Sequence, residues 1–170
     1  MTAARVYTTM ESPLGDVLLT GKESASAPGG TALASVSLPE QKGGVLVADG
    51  WLRSATAFGE IERQLERYFA GELTDFALHY ARGGTEFQQR VWQELDRIPY
   101  GTTVTYGEIA QRMGASRIAV RAVGSAIGRN PLLVVRPCHR VIGSDGALHG
   151  YAAGLERKEH LLRLEGALVA

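Results

Sequence analysis

The stretch Pro137-Cys138-His139-Arg140-Val141 contains the one cysteine of this 170-residue chain. A lone cysteine in a soluble chain is most often a small buried hydrophobe. This one has His139 beside it and arginines at 136 and 140. Nearby positive charge favours the thiolate, and the thiolate is the nucleophile. Both readings, core residue and reactive thiol, stand on the local sequence. One cysteine excludes an internal disulfide and a multi-thiolate zinc site. A reducing cytoplasm is the expected compartment.

Outward from that stretch, the charge is uneven. Residues 1–83 hold 7 Lys+Arg against 10 Asp+Glu, and residues 84–170 hold 11 against 8. Between Ile109 and Ser144 stand six arginines (Arg112, Arg117, Arg121, Arg129, Arg136, Arg140) and no acid. Such a run is either a solvated face or the footprint of a polyanion, and its lack of any balancing acid favours the polyanion. With 45% apolar and 21% charged residues the composition is globular. No apolar run is long enough for a membrane span. Met1 to Arg5 leads into polar alternation, so no signal segment is expected.

The segment before the cysteine is helical in pattern. Thr85-Glu86-Phe87-Gln88 reads as a capping box, followed by Phe87, Val91, Trp92 and Leu95 at core spacing. Thr105-Tyr106-Gly107-Glu108 reads as a second box opening a short helix. Gly114-Ala115 turns the chain, and Ser116 caps a helix over 117–128. Helix, short glycine-containing turn and helix form a helix-turn-helix pattern. Asn130-Pro131 ends the last helix. Leu132 to Val135 reads as a short apolar strand delivering Cys138. A glycine-bounded loop over 150–154 precedes a closing helix over 155–164.

The first half reads as a small acidic α+β unit. Val6–Met10 and Val17–Thr20 form a hairpin about Ser12-Pro13-Leu14-Gly15. Strands are expected at Leu33–Leu38, Val45–Val47 and Phe76–Tyr80, with a helix over 57–69. His79 reads as packing or hydrogen-bonding.

Taken together, Thr105-Tyr106-Gly107-Glu108-Ile109-Ala110, Arg121-Ala122-Val123-Gly124, Asn130-Pro131, Pro137-Cys138-His139-Arg140-Val141, Gly150-Tyr151, Lys158 and Glu165-Gly166 resemble the methylated-DNA–protein-cysteine methyltransferases, the O6-alkylguanine-DNA alkyltransferases. The resemblance is strong over 84–166 and looser before. It implies an α/β (α+β) fold: an N-terminal ribonuclease-H-like domain over 1–82 and a C-terminal winged-helix-like, helix-turn-helix domain over 83–170. It implies direct-reversal repair, with single, irreversible transfer of the alkyl group from O6-alkylguanine (less well O4-alkylthymine) to Cys138 after nucleotide flipping. The partner would be double-stranded DNA, bound by a monomer, with no cofactor, metal or membrane.

The resemblance also assigns roles. His139 would be the general base, acting through a water, with Glu165 orienting it. Asn130 would tie the helix end to the active-site turn. Tyr106 would stand at the rotated phosphate and serve the leaving oxygen. Arg121 would fill the gap in the stack. Ala119, Ala122, Gly124, Ser125, Arg129 and Arg140 would complete the DNA face. Carbonyls of Cys138 and Val141, with Tyr151, Ala152 and Ala153, would hold the base, and Lys158 would position the site. The chain departs from the family pattern at Ile127, Arg136 and Ala152, which bears on the alkyl groups accepted. A non-catalytic damage sensor and a cysteine hydrolase are the competing classes. The sensor relatives replace the nucleophile that Cys138 supplies here. The hydrolase would leave the basic helix pair unexplained.

Overall fold

The computed structural model describes residues 5–168. The chain divides into two compact units, Met1–Arg82 and Gly83–Ala170.

The first unit is a four-stranded sheet with one helix. β1 (Arg5–Met10) and β2 (Val17–Glu23) pair antiparallel, Val6 facing Gly21 and Met10 facing Val17. Their turn is built by Ser12, whose Oγ donates to the Gly15 carbonyl (2.6 Å) and accepts the Leu14 amide (3.1 Å). β3 (Thr31–Ser37) adds antiparallel to β2, and β4 (Leu52–Arg53) adds parallel to β1. The order is β3-β2-β1-β4. Helix α1 (Gly59–Phe69) buries Ile61, Leu65 and Tyr68.

Two expected strands are absent. Val45–Val47 is irregular, and Leu46 is 86% exposed. The place beside β1 is taken by Leu52 and Arg53 instead. Phe76–Tyr80 contributes only an isolated bridge, Leu33 to Tyr80. The physical reason lies in Gln64: its buried amide accepts the Ala77 N–H (2.9 Å) and donates to the Ala77 carbonyl (3.1 Å). A side chain thereby occupies the backbone groups a sheet neighbour would need. His79 contributes its carbonyl, which accepts from the Leu33 amide.

The second unit is mainly helical. α2 (Glu86–Asp96) opens on Thr85 with both bonds of the capping box formed. Its buried face is Val91, Trp92 and Leu95. β5 (Val104–Thr105) leads into α3 (Tyr106–Arg112), where Thr105 accepts the Glu108 amide (3.0 Å). The chain then turns at Gly114 (φ 69°). The helix expected from 117 begins as a 3-10 turn, Arg117–Ala119, and becomes α4 over Val120–Gly128. The Ser116 carbonyl accepts the Ala119 amide there. α4 buries Val123, Ala126 and Ile127, and the buried Trp92 indole donates to its Ala126 carbonyl (2.9 Å). β6 (Val141–Ile142) pairs parallel with β5, so the ribbon beside the helix pair is two residues deep and not a hairpin wing. α5 (Leu155–Leu164) closes the unit.

The expected strand at Leu132–Val135 is reduced to a single bridge residue, Leu132, followed by a turn with Val134 at φ 70°. A β-branched residue in the left-handed region is costly and persists only where its surroundings impose it. All four residues are buried despite the absence of a ladder.

Gly84 lies at φ 79°, and a Cβ there would stand 2.5 Å from the Trp92 ring. Gly84→Ala is expected to cost at least about 1–2 kcal/mol from its backbone alone, and more from the ring. Urea unfolding monitored by Trp fluorescence would read this; an unchanged midpoint would contradict the packing.

Candidate active site

Cys138 opens a 3-10 turn, Cys138–Arg140, whose three side chains are all buried. The thiol is pushed up to about 11, chiefly by burial; Asn130, Lys158 and Arg136 pull the other way. At neutral pH it is therefore a thiol, and the thiolate must be made when it is used.

The groups that make it stand around one carboxylate. His139 is fully buried, with Nε2 2.7 Å from Glu165 Oε2. Burial lowers its pKa, Glu165 opposes, and Arg140 and Lys158 lower it further. The ring is thus neutral at pH 7. A neutral ring facing a carboxylate carries its proton on Nε2, leaving Nδ1 as an acceptor. Nδ1 is buried and has no hydrogen-bond partner among the described residues.

Glu165 is held from its other side by Arg140. The guanidinium donates through Nε to Oε1 (2.6 Å) and through a terminal nitrogen to Oε2 (3.1 Å). Its remaining arm donates to the Ile98 carbonyl (2.6 Å), and the group lies 5.6 Å over the Tyr100 ring. Arg140, expected on DNA, is only 6% exposed and does not lie on the surface. Three of its five N–H donors go to Glu165 and Ile98.

Asn130, also buried, accepts the Leu132 amide (3.0 Å) and donates to the Arg136 carbonyl (3.0 Å). It brackets the turn that carries Val134 in its strained conformation. Lys158, fully buried, spends all three ammonium hydrogens on carbonyls: Val141 (2.6 Å), Leu148 (2.5 Å) and Gly150 (3.1 Å). Burial lowers its pKa to about 8, so it is a cation at neutral pH. One residue thereby pins the segment after the cysteine to the glycine loop.

Tyr106, the first residue of α3, is half-buried. Its pKa is raised, chiefly by burial and further by Cys138, so its hydroxyl stays protonated. The Tyr151 hydroxyl is buried, and burial raises its pKa well above the ordinary value, with Cys138 adding to the rise. Ala152 is half-buried and Ala153 buried next to it.

The surface of α4 is separate from this cluster. Arg121, Ala122, Ser125 and Arg129 are exposed along one side, and Ala119 is half-buried. Gly124 faces the Tyr106 ring. The acid-free arginine run divides accordingly. Arg112, Arg121 and Arg129 are exposed. Arg136 bonds Asp96 (3.2 Å) and lies over Trp92, and Arg140 takes Glu165. The side chain of Arg117 lies outside the described residues.

Sequence reasoning missed Arg140 as the second partner of Glu165 and the Arg136–Asp96 pair. Both link residues 25 and 40 positions apart, and nothing local signals them. Arg140→Met is expected to lower stability by about 3–5 kcal/mol, the cost of stripping one member from a buried pair. Denaturant unfolding measures it. Stability equal to the parent would remove Arg140 from the cluster.

Comparisons with known proteins give the same two parts. The family model described as 6-O-methylguanine DNA methyltransferase, ribonuclease-like domain, matches residues 5–80, and the DNA binding domain of the same family matches residues 86–167. A methylated-DNA–protein-cysteine methyltransferase of Methanosarcina acetivorans is 49% identical over 95% of the chain and 98% of its own length. One from Mycobacterium leprae is 51% identical over 92% and 89%. The crystal structure of Mycobacterium tuberculosis OGT in complex with DNA is similar with a TM-score of 0.85 and 44% identity, covering 95% of this chain and 93% of that one.

Proposed function

Since the chain belongs to the 6-O-methylguanine DNA methyltransferase family, we propose that it repairs DNA by direct reversal, moving the alkyl group of O6-alkylguanine in duplex DNA onto Cys138 once and irreversibly. O4-alkylthymine would be a poorer substrate. The protein would act as a monomer in the cytoplasm.

The observation that carries the proposal is the buried chain Cys138, His139, Glu165, Arg140. A displacement at carbon needs a thiolate, and a thiol near pKa 11 supplies almost none at pH 7. His139 is neutral with Nδ1 as its open acceptor, the state a base must be in before it acts. It takes the Cys138 proton through a bridging water. The imidazolium then meets the Glu165 carboxylate at 2.7 Å, so its charge is stabilised where it forms, as by the acid of a catalytic triad. Arg140 fixes the carboxylate and limits how far His139 is charged beforehand.

The thiolate attacks the alkyl carbon. The S–C bond forms as the C–O6 bond breaks, and the guanine oxygen leaves with the electron pair. Tyr106, kept protonated, donates a hydrogen bond to that oxygen. The product thioether has no bond for water to cleave, so the protein is consumed. Asn130 and Lys158 act through geometry, holding the turn before and the strand after the cysteine. The carbonyls of Cys138 and Val141 would accept from the guanine amino group, with Tyr151, Ala152 and Ala153 beside it.

The exposed side of α4 supports the DNA reading. Arg121 and Arg129 provide charge for phosphates. Arg121 would enter the stack when the nucleotide turns out, because a buried thiol cannot reach an atom inside a duplex. Ala119, Ala122 and Ser125 allow close approach, while Gly124 serves the packing of Tyr106.

Incubation with a duplex containing O6-methylguanine should add one methyl mass to Cys138, at one equivalent of DNA. Turnover beyond one equivalent, or binding without mass change, would overturn the proposal. The pH profile gives a second outcome. Because His139 has a depressed pKa, the rate should fall on the acid side with a midpoint below 6.5 and stay level through neutrality. His139→Gln should lose about 10²–10⁴-fold at pH 7. Its rate should then climb with pH toward about 11, where the thiol ionises unaided. A profile identical to the parent would sink the base assignment.

A further inference from the structure

Ile118 stands in the 3-10 turn that opens α4 and is 91% exposed, against 50% for Leu155 in the same unit. It is followed at three, four, seven and eleven residues by Arg121, Ala122, Ser125 and Arg129, all exposed. That spacing places the set along one side of the turn and helix. The opposite side, Val123, Ala126 and Ile127, is buried in the unit. The isoleucine therefore begins a stripe whose other members are two arginines and two small residues, with no acid between Ile109 and Ser144.

Single exposed hydrophobics are common and need no explanation by themselves. The company of this one is what matters. Arg121 and Arg129 set the charge of the stripe, and its complement is a polyanion. A polyanion duplex offers apolar surface too: the C–H faces of deoxyribose and the edges of stacked bases. Minor-groove binders commonly combine basic side chains with apolar ones set against the stacked bases. A β-branched residue is stiff about χ1, so little side-chain freedom is lost when it is seated.

We propose that Ile118 is an apolar contact to duplex DNA that seats the start of α4 against the deoxyribose wall beside the lesion. The proposal rests on the reading of α4 as the docking face. Its contribution is non-ionic. It adds affinity without releasing a counterion, so it alters binding strength and leaves the salt dependence alone. Arginine contacts to phosphates change both.

The test uses the whole chain and a fluorescent duplex carrying O6-methylguanine, titrated over a range of salt. Ile118→Ala should weaken binding about tenfold, the order expected for losing most of an isoleucine's burial, with an unchanged slope of log affinity against log salt. Ile118→Leu should restore most of the affinity. The unfolding midpoint should not move, since the side chain packs on nothing. Reaction of the Ile118→Ala variant with free O6-benzylguanine base should match the parent, which places the defect in docking. Unchanged duplex affinity in Ile118→Ala overturns the proposal, as does a reduced salt slope. Arg121→Ala and Arg129→Ala distinguish the apolar contact from the docking face as a whole. If they weaken binding and lower the slope while Ile118→Ala does neither, the apolar contact alone is wrong. If none of the three changes binding, α4 is not the docking face.

Discussion

The structure of the second unit turns on one carboxylate. Glu165 lies just past the end of α5, where it receives His139 on one oxygen and the Arg140 fork across both. Burying a charge is expensive unless it is paired and hydrogen-bonded. Here the pairing is nearly complete, and each partner is itself anchored. His139 and Arg140 are neighbours in one 3-10 turn, so satisfying Glu165 fixes that turn and with it the sulfur of Cys138. Arg140 reaches on to Ile98 at the end of α2. A single acid thus joins the end of α5, the active-site turn and the loop after α2. Gly101 has φ 79°, and a Cβ there would stand 3.2 Å from the Glu165 carbonyl. The approach of that loop to the end of α5 leaves little room for a side chain.

Around this centre the remaining buried polar groups work on the backbone. Lys158 holds three carbonyls, and Asn130 holds an amide and a carbonyl of the turn at Val134. These segments have almost no regular secondary structure, so their peptide groups have no ladder to satisfy them. Side chains take that place. The result is irregular chain with the rigidity of a core, which is what a reaction needing one fixed approach line requires.

The elements written in local chemistry were legible in the sequence. Thr85 and Gln88 announced α2, Thr105 and Glu108 announced α3, and α5 was bounded by Gly154 and Glu165. The Pro-Cys-His-Arg run disclosed the site. What was not legible came from distance. An apolar run at Leu132–Val135 looked like a strand, but the Asn130 side chain claims its backbone and makes it a turn. The peptide groups of Phe76–Tyr80 were claimed by Gln64 in the same manner. The arginine run looked like one basic surface because a linear reading cannot see Asp96 and Glu165 arriving from outside it. Two of its members pair with acids, Arg136 with the more exposed Asp96 and Arg140 with the buried Glu165, and the exposed charge is correspondingly smaller and more sharply placed on α4.

The enclosure of Cys138 has a consequence for the protein's life between encounters. Oxidants and soluble electrophiles attack thiolates, and they attack them where solvent reaches. A cysteine that is 6% exposed, with a thiol protonated up to about pH 11, offers neither opportunity. A catalyst that is regenerated can tolerate slow side reactions, since they remove only a fraction of its turnovers. A molecule that can react once loses everything to a single wasted event. Burial of the nucleophile therefore acts as shelf life: it keeps the reagent unspent until a base is brought to it.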